Sequence, residues 1–254
     1  MAATIQIGLS IGNSRYHWAW FLNTKFQSSW DTEYLTIERC LDFLPIYLQL
    51  IINNDRIKFD RIPIYLVSVV PSQTAIWQQL PQVRVITLVD IPLLDLYPTL
   101  GIDRALTVFS AGNIYGYPIL VIDGGTALTI TGVDDARRLF GGAILPGLRL
   151  QLRALSICTA ALPEITLPPQ LPSRWSDNTP DSIASGILYT VTAGVSDFIR
   201  DWQQLFPASY IILTGGDGEL LTGYLQANLS VYLAGRVRFD RDLLFKGLST
   251  ITNT

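Results

Sequence analysis

"VIDGGTALTI", Val121 to Ile130, runs from an apolar strand into an acid, two glycines and then two threonines. The stretch "YPILVI" that leads into it is apolar on both faces, the mark of a buried β-strand. Asp123 therefore stands where the strand meets a turn, and its carboxylate needs a partner. Gly124 and Gly125 permit positive φ and leave room for a ligand to approach the backbone, while Thr126 and Thr129 bring hydroxyls suited to phosphate or metal. A β-hairpin with Gly-Gly at its bend accounts for the same letters without any function. The surrounding chain has to decide between the two.

Downstream, "RLFGGAILPGL" (138–148) supplies a third strand, and "LRLQLRALSICTAAL" and "SIASGILYTVTAGVSDFIRDWQQLF" have helical spacing. The Pro-rich connection between them, "PEITLPPQLPSRWSDNTP", is long enough for a functional or interface loop. "YIILTGGDGELL" is a strand entering another glycine turn, and "VYLAGRVRF" lies near the end. Upstream the same order of elements occurs once before. "TIQIGLS", the bend "IGNS" and "RYHWAWFL" predict a hairpin in which Gly12-Asn13 supplies positive-φ positions. "TIERCLDFLPIYLQLI" predicts a helix kinked or ended by Pro45. "RIPIYLVSVV" reads as a buried strand, "PSQTAIWQQL" as a helix starting at Pro71 or Ser72, and "VRVITLV" as a further strand. "YPTLGIDRALTVFSAGNIYG" predicts a helix that begins after Thr99 to Ile102 and is over by Gly116. The chain thus divides into two halves, 1–115 and 116–254, each opening on a hairpin with glycine beside a small polar or acidic residue.

Composition narrows the function classes. The 254 residues are 49% hydrophobic and 15% charged, a globular balance with enough chain for a substantial core. A net charge of −3 and the lack of a basic stripe argue against nucleic acid as a partner. Only Lys25, Lys58 and Lys246 are lysines, and no G-x-x-x-x-G-K-[ST] occurs, so any ATP site is not a Walker A loop. Cys40 and Cys158 form no C-x-x-C, in keeping with a reduced compartment. The N-terminus lacks a basic n-region, and apolar runs such as Ile62 to Val70 fall short of the ~20 residues that span a bilayer. The mean hydropathy of +0.31 is therefore assigned to a core and a subunit interface, in a cytoplasmic protein without a membrane partner.

Six short motifs then occur in order: "SIGNS" (10–14), "GIDR" (101–104), "DGGTA" (123–127), "GGAILPG" (141–147), "NT" (178–179) and "TGGDG" (214–218). The set resembles the signature of the type III pantothenate kinases, which make 4′-phosphopantothenate for coenzyme A. That resemblance implies an α/β protein of the actin-like ATPase fold, two ribonuclease-H-like halves with a nucleotide cleft between them, working as a homodimer on pantothenate and ATP with Mg2+. By the same resemblance the first hairpin (Ser10, Ile11, Gly12, Asn13, Ser14, Arg15) and Thr126 contact ATP. Asp103 is the base that accepts the substrate hydroxyl proton. Tyr97, Gly101, Ile102, Asp103, Arg104 and Thr179 contact pantothenate, Thr179 across the dimer interface. Asp123 holds a monovalent cation, K+ or NH4+.

Physical chemistry is compatible with these roles. Phosphoryl transfer depends on positioning and charge stabilisation, so a carboxylate of nearly ordinary pKa serves if it is hydrogen-bonded to the attacking hydroxyl. Arg104 neutralises a substrate carboxylate or the transferring group. A cation at Asp123 offsets phosphate charge in a chain short of lysine. Simpler roles compete: Asp103 in a helix first turn is favoured by the dipole, Thr179-Pro180 reads as an N-cap with proline at N1, and His17 reads as a structural donor. Arg137-Arg138 beside Asp134-Asp135 reads as a solvated turn. One departure stands out. The family pattern begins D-x-G-N-T, and here Ser10 and Ser14 replace the acid and the threonine. That departure motivates two alternatives, a silent homologue with a binding or regulatory role and a kinase for another small hydroxy compound. A two-metal nuclease is excluded because the glycine turns bring too few carboxylates.

Overall fold

The computed structural model describes residues 4–52, 61–226 and 234–252. The chain forms two compact units, one of Met1–Pro92, Leu96–Ser110 and Leu244–Thr254, the other of Leu93–Asp95 and Ala111–Leu243. Each is built on a five-stranded sheet.

In the first unit β1 (Ile5–Ile11), β2 (Tyr16–Leu22) and β3 (Lys25–Thr32) form an antiparallel meander. Helix α1 (Ile37–Ile52) leads to β4 (Ile64–Ser68), and α2 (Pro71–Trp77) leads to β5 (Val83–Val85). β4 pairs in parallel with β1 and with β5, so the order is β3-β2-β1-β4-β5. The second unit repeats this. β6 (Ile119–Gly124), β7 (Ala127–Val133) and β8 (Leu139–Pro146) form a meander. Helices α4 (Leu148–Cys158) and α5 (Thr179–Leu205) precede β9 (Tyr210–Thr214), and α6 (Gly218–Gln226) precedes β10 (Val237–Phe239). The order β10-β9-β6-β7-β8 matches the first sheet strand for strand, with parallel pairs at β6–β9 and β9–β10. Helix α3 (Ile102–Tyr115) follows the first sheet, and α7 (Leu243–Ile251) ends the described chain.

The first sheet packs one face on α1. Ile7, Leu9 and Ile11 join Cys40, Leu44 and Leu48 in a core completed by Tyr16, Trp18 and Trp77. The edge of Tyr16 meets Trp18, and Trp77 donates to the Tyr16 hydroxyl at 3.4 Å. Burial raises the Cys40 thiol to about 11, which keeps it protonated and inert. The opposite face, at Gly8, meets Phe245 and Leu248 of α7, and Gly247 lies against Leu106 and Ser110 of α3. In the second unit α5 sends Leu188, Val191, Val195, Ile199 and Trp202 into a core with Ile122, Ile130, Ile211 and Leu213.

Several sequence expectations change. Pro45 lies inside α1 and does not end it, because Leu44 and Leu48 bury on one stripe and hold the helix across the missing bond. "VRVITLV" is a strand only over Val83–Val85, after which Leu88–Asp90 turn as a 3-10 helix with Thr87 and Asp90 in a capping box. α5 is capped by Asn178, whose side chain accepts from Asp181 N–H, so Thr179 is the first helical residue and not the cap. By length and composition α5 could cross a bilayer, yet half of its apolar window is buried within the protein. Among the described residues positive φ occurs at none of Gly12, Asn13, Gly124 or Gly125; it occurs at Asn23 and Thr24, between β2 and β3. "VYLAGRVRF" falls partly outside the described residues, and its end forms β10.

Trp202 closes over Gly132 of β7, where an added Cβ would lie 2.5 Å from the indole. Gly132→Ala therefore overpacks this contact and is expected to lower stability by about 1–3 kcal/mol. Urea unfolding checks this: the midpoint falls and the slope is unchanged, while an unaltered midpoint refutes it.

Candidate active site

The first unit holds two of the predicted groups. The loop from Gly12 to Arg15 joins β1 to β2, with Ser10 and Ile11 closing β1 and Asn13, Ser14 and Arg15 exposed. Four residues make this loop wide enough to turn without mirror-image dihedrals. The Tyr34 hydroxyl donates to the Gly12 carbonyl, which ties the loop to the chain beyond β3. An added Cβ on Gly12 meets nothing within 4 Å, so the glycine answers no packing demand of the protein itself. It leaves the backbone N–H groups of the bend approachable, as phosphate-binding loops require.

Gly101, Ile102, Asp103 and Arg104 begin α3. The Asp103 carboxylate accepts from the Arg104 N–H at 2.7 Å and folds back over Gly101, where a Cβ would lie 2.5 Å from its Oδ1. Glycine at 101 is thus what allows this rotamer. Burial is the main influence on Asp103 and pushes its pKa up, opposed by the Arg104 N–H and the Arg104 charge. The nearly ordinary pKa expected from sequence is replaced by a raised one, which favours a base. Arg104 is buried and donates from Nη1 to the Tyr97 hydroxyl at 3.1 Å. The turn closed by Leu100 N–H on the Tyr97 carbonyl brings the tyrosine back to the helix start.

The second unit joins three motifs through backbone. Asp123, half-buried at the end of β6, pairs in register with Thr129 and Thr214. Gly215, at φ +85, faces it so closely that a Cβ would fall 2.2 Å from Asp123 Oδ1. Asp217 N–H donates to the Gly124 carbonyl at 2.8 Å, and Gly147 N–H to the Thr126 carbonyl at 2.9 Å. Thr126 is exposed at the tip of the turn. Sequence reasoning missed the ion pair behind this turn: Asp217, 5% exposed, accepts from Arg149 Nε at 2.8 Å. The only signal for it was an acid inside a glycine turn. Thr179 lines an open cavity of about 510 Å³ with Leu162, Asp177 and Ile183. His17 bonds Asp31. Arg138 pairs with exposed Asp95 at 2.8 Å, and Arg137 lies over Tyr117.

Asp103→Asn tests the raised pKa. Because the folded value is raised, ionisation of Asp103 costs stability above the folded pKa, and the cost vanishes below the unfolded one. The variant is expected to melt above the native protein at neutral pH, with the difference fading as pH falls below the ordinary carboxylate range. Thermal melts across pH check it; a gain that persists in acid would show that burial of the charge is not its source.

The family model of type III pantothenate kinase matches residues 7–201. A type III pantothenate kinase from Nostoc sp. is 43% identical over 258 residues, covering 96% of this chain and 93% of the relative. Another, from Synechocystis sp., is 43% identical over 250 residues, covering 96% and 89%. Among solved structures, a Baf family protein from Campylobacter jejuni aligns over 97% of each chain with a TM-score of 0.64 and 19% identity. The activator of 2-hydroxyisocaproyl-CoA dehydratase from Clostridium difficile, with bound ADPNP, aligns over 98% and 94% at 0.57 and 12%. At those identities the structures carry the fold alone, that of the actin-like ATPases. The relatives and the ordered motifs carry the chemistry: the chain belongs to the type III pantothenate kinase family and phosphorylates pantothenate with ATP.

Proposed function

We propose that the pantothenate kinase reaction of this chain runs through Asp103 as the base that receives the proton of the attacking hydroxyl. The observation that carries this is the half-buried Asp103 carboxylate at the start of α3, with a raised pKa and its orientation fixed by Arg104 N–H. A base in that state holds the substrate hydroxyl and takes its proton as the bond to phosphorus forms. Arg104, steadied by Tyr97, meets the pantothenate carboxylate, with Gly101 and Ile102 beside it and Thr179 completing the site in a homodimer. The bend from Ser10 to Arg15 receives the ATP phosphates on its N–H groups, and Thr126 adds a hydroxyl. The kinase is placed in the cytoplasm, where both substrates are found. The family match favours this reading over a silent homologue and over another acceptor.

The residues present fit the two cations. The half-buried Asp123 carboxylate at the turn is an oxygen donor of the kind a monovalent ion, K+ or NH4+, takes. No group of three or more His, Cys, Asp or Glu is assembled among the described residues. Magnesium arriving with ATP therefore takes its ligands from phosphate oxygens and water, as it commonly does in kinases. When bound, the ions supply positive charge that offsets the triphosphate.

ADP release from Mg-ATP with and without pantothenate, in potassium and in sodium, checks the assignment. Turnover is expected to need pantothenate and potassium. Asp103→Asn is expected to lower kcat by about 10²–10⁴-fold with ATP affinity little changed. Undiminished turnover in the variant would remove Asp103 from the chemistry.

A further inference from the structure

The register of the first sheet lines up three polar side chains. Ser10 of β1 pairs with His17 of β2, and His17 pairs with Asp31 of β3. Residues so paired project from one face of a sheet, with neighbours about 5 Å apart. Gly8 and Ala19, the next pair on that face, lie toward α7. The row therefore sits at the hairpin end of the α7 side, next to the bend from Gly12 to Arg15.

His17 Nδ1 lies 2.8 Å from Asp31 Oδ1. A carboxylate only accepts, so Nδ1 carries the proton, and in the neutral ring Nε2 keeps its lone pair. Arg15 Nη1 stands 3.6 Å from the other Asp31 oxygen and offsets its charge. Ser10 is 7% exposed and has no side-chain hydrogen-bonding partner among the described residues. An oriented imidazole with an open acceptor nitrogen and the Ser10 hydroxyl paired beside it thus adjoin the loop assigned above to the ATP phosphates.

We propose that His17, oriented by Asp31, accepts at Nε2 a hydrogen bond from a water of the magnesium that accompanies ATP, and with Ser10 replaces the carboxylate of the family motif at position 10. The proposal rests on the reading of the hairpin as the phosphate site. Carboxylate–histidine pairs fix the tautomer and the orientation of the ring in this way behind metals. Magnesium keeps several of its waters, so an acceptor one water away suffices. His17 is thereby a positioning residue, and its effect belongs to the metal complex of ATP and not to ATP itself.

Calorimetric titration with ATP, once with magnesium and once with EDTA, tests this without relying on turnover. His17→Ala is expected to weaken binding roughly tenfold with magnesium and to leave metal-free binding unchanged. Ser10→Asp in the same background restores the magnesium-dependent part. Asp31→Asn, which releases the tautomer, gives a smaller loss of the same kind and carries the comparison if His17→Ala does not fold. Equal loss with and without metal, the result of a direct imidazolium contact to phosphate or of a structural role, overturns the proposal. So does an unchanged affinity, or no rescue by Ser10→Asp. Gly12→Val, whose side chain enters open space over the N–H groups of the bend, separates this failure from failure of the hairpin reading. If it weakens ATP in both conditions while His17→Ala does nothing, the hairpin holds phosphate and only the His17 assignment falls. If neither variant changes ATP binding, the hairpin is not the phosphate site.

Discussion

Close backbone approach at glycine is the constraint on which the second unit depends. Asp123 to Thr126, Gly147, and Gly215 to Gly218 come from motifs up to about 90 residues apart along the chain, yet Gly147 and the Gly215 turn each meet the Asp123 turn through main-chain atoms. A Cβ on Gly215 would lie 2.8 Å from the Gly124 carbonyl carbon as well as striking Asp123, and one on Gly147 would lie 2.1 Å from the Gly125 oxygen. Hydrogen is the largest substituent these sites accept. With the turns interlocked, the direction of the Asp123 carboxylate follows from strand register and not from a side-chain rotamer left to find its own minimum. The buried Asp217 beneath them is tolerable because Arg149 pairs with it; an unpaired carboxylate at that depth would cost several kcal/mol.

Much of this architecture was legible because two signals repeat. A strand, a glycine bend and a second strand occur at residues 5–22 and 119–133, and each precedes a helix and a parallel strand, so one topology written twice can be read twice. The role of the glycines was legible only in part. Sequence suggested positive φ at Gly124 and Gly125, whereas their backbone is ordinary and the demand is for space, which depends on chain far away in sequence. β3 escaped notice because "KFQSSWDT" is polar on its exposed face, and its pairing with β2 turns on Asn23, which tolerates φ above zero, and Thr24, a β-branched residue that adopts it against its own preference. α1 runs through Pro45 because tertiary burial overrides the local penalty.

The candidate site shows the same division between local and distant causes. Asp103 was readable as a first-turn acid beside glycine and arginine, all within four residues. Its raised pKa was not, since desolvation comes from the packing of α3 and not from its own sequence. Thr179 was readable as a helix-start residue, but the cap itself belongs to Asn178, one position earlier, whose side chain also donates to Asp181. The row of Ser10, His17 and Asp31 was illegible for a stricter reason. It exists only at one register of three strands, and a slip of a single residue would turn each member to the other face.

Scarcity of lysine gives these arrangements a common logic. Three arginines in or beside the motifs are each engaged within the protein: Arg15 with Asp31, Arg104 with Tyr97, and Arg149 with Asp217. A planar guanidinium can bond one partner and still present further N–H groups, so it can be held in place and remain a donor, which a single ammonium on a flexible stem does less well. Fixed donors lose little entropy when an anion arrives, and backbone N–H groups at a glycine bend lose less still. Such a site carries little net charge of its own. It must therefore be completed by ions that travel with or beside the nucleotide, and the residues that orient those ions, through water as much as by contact, bear on the reaction as directly as the base itself.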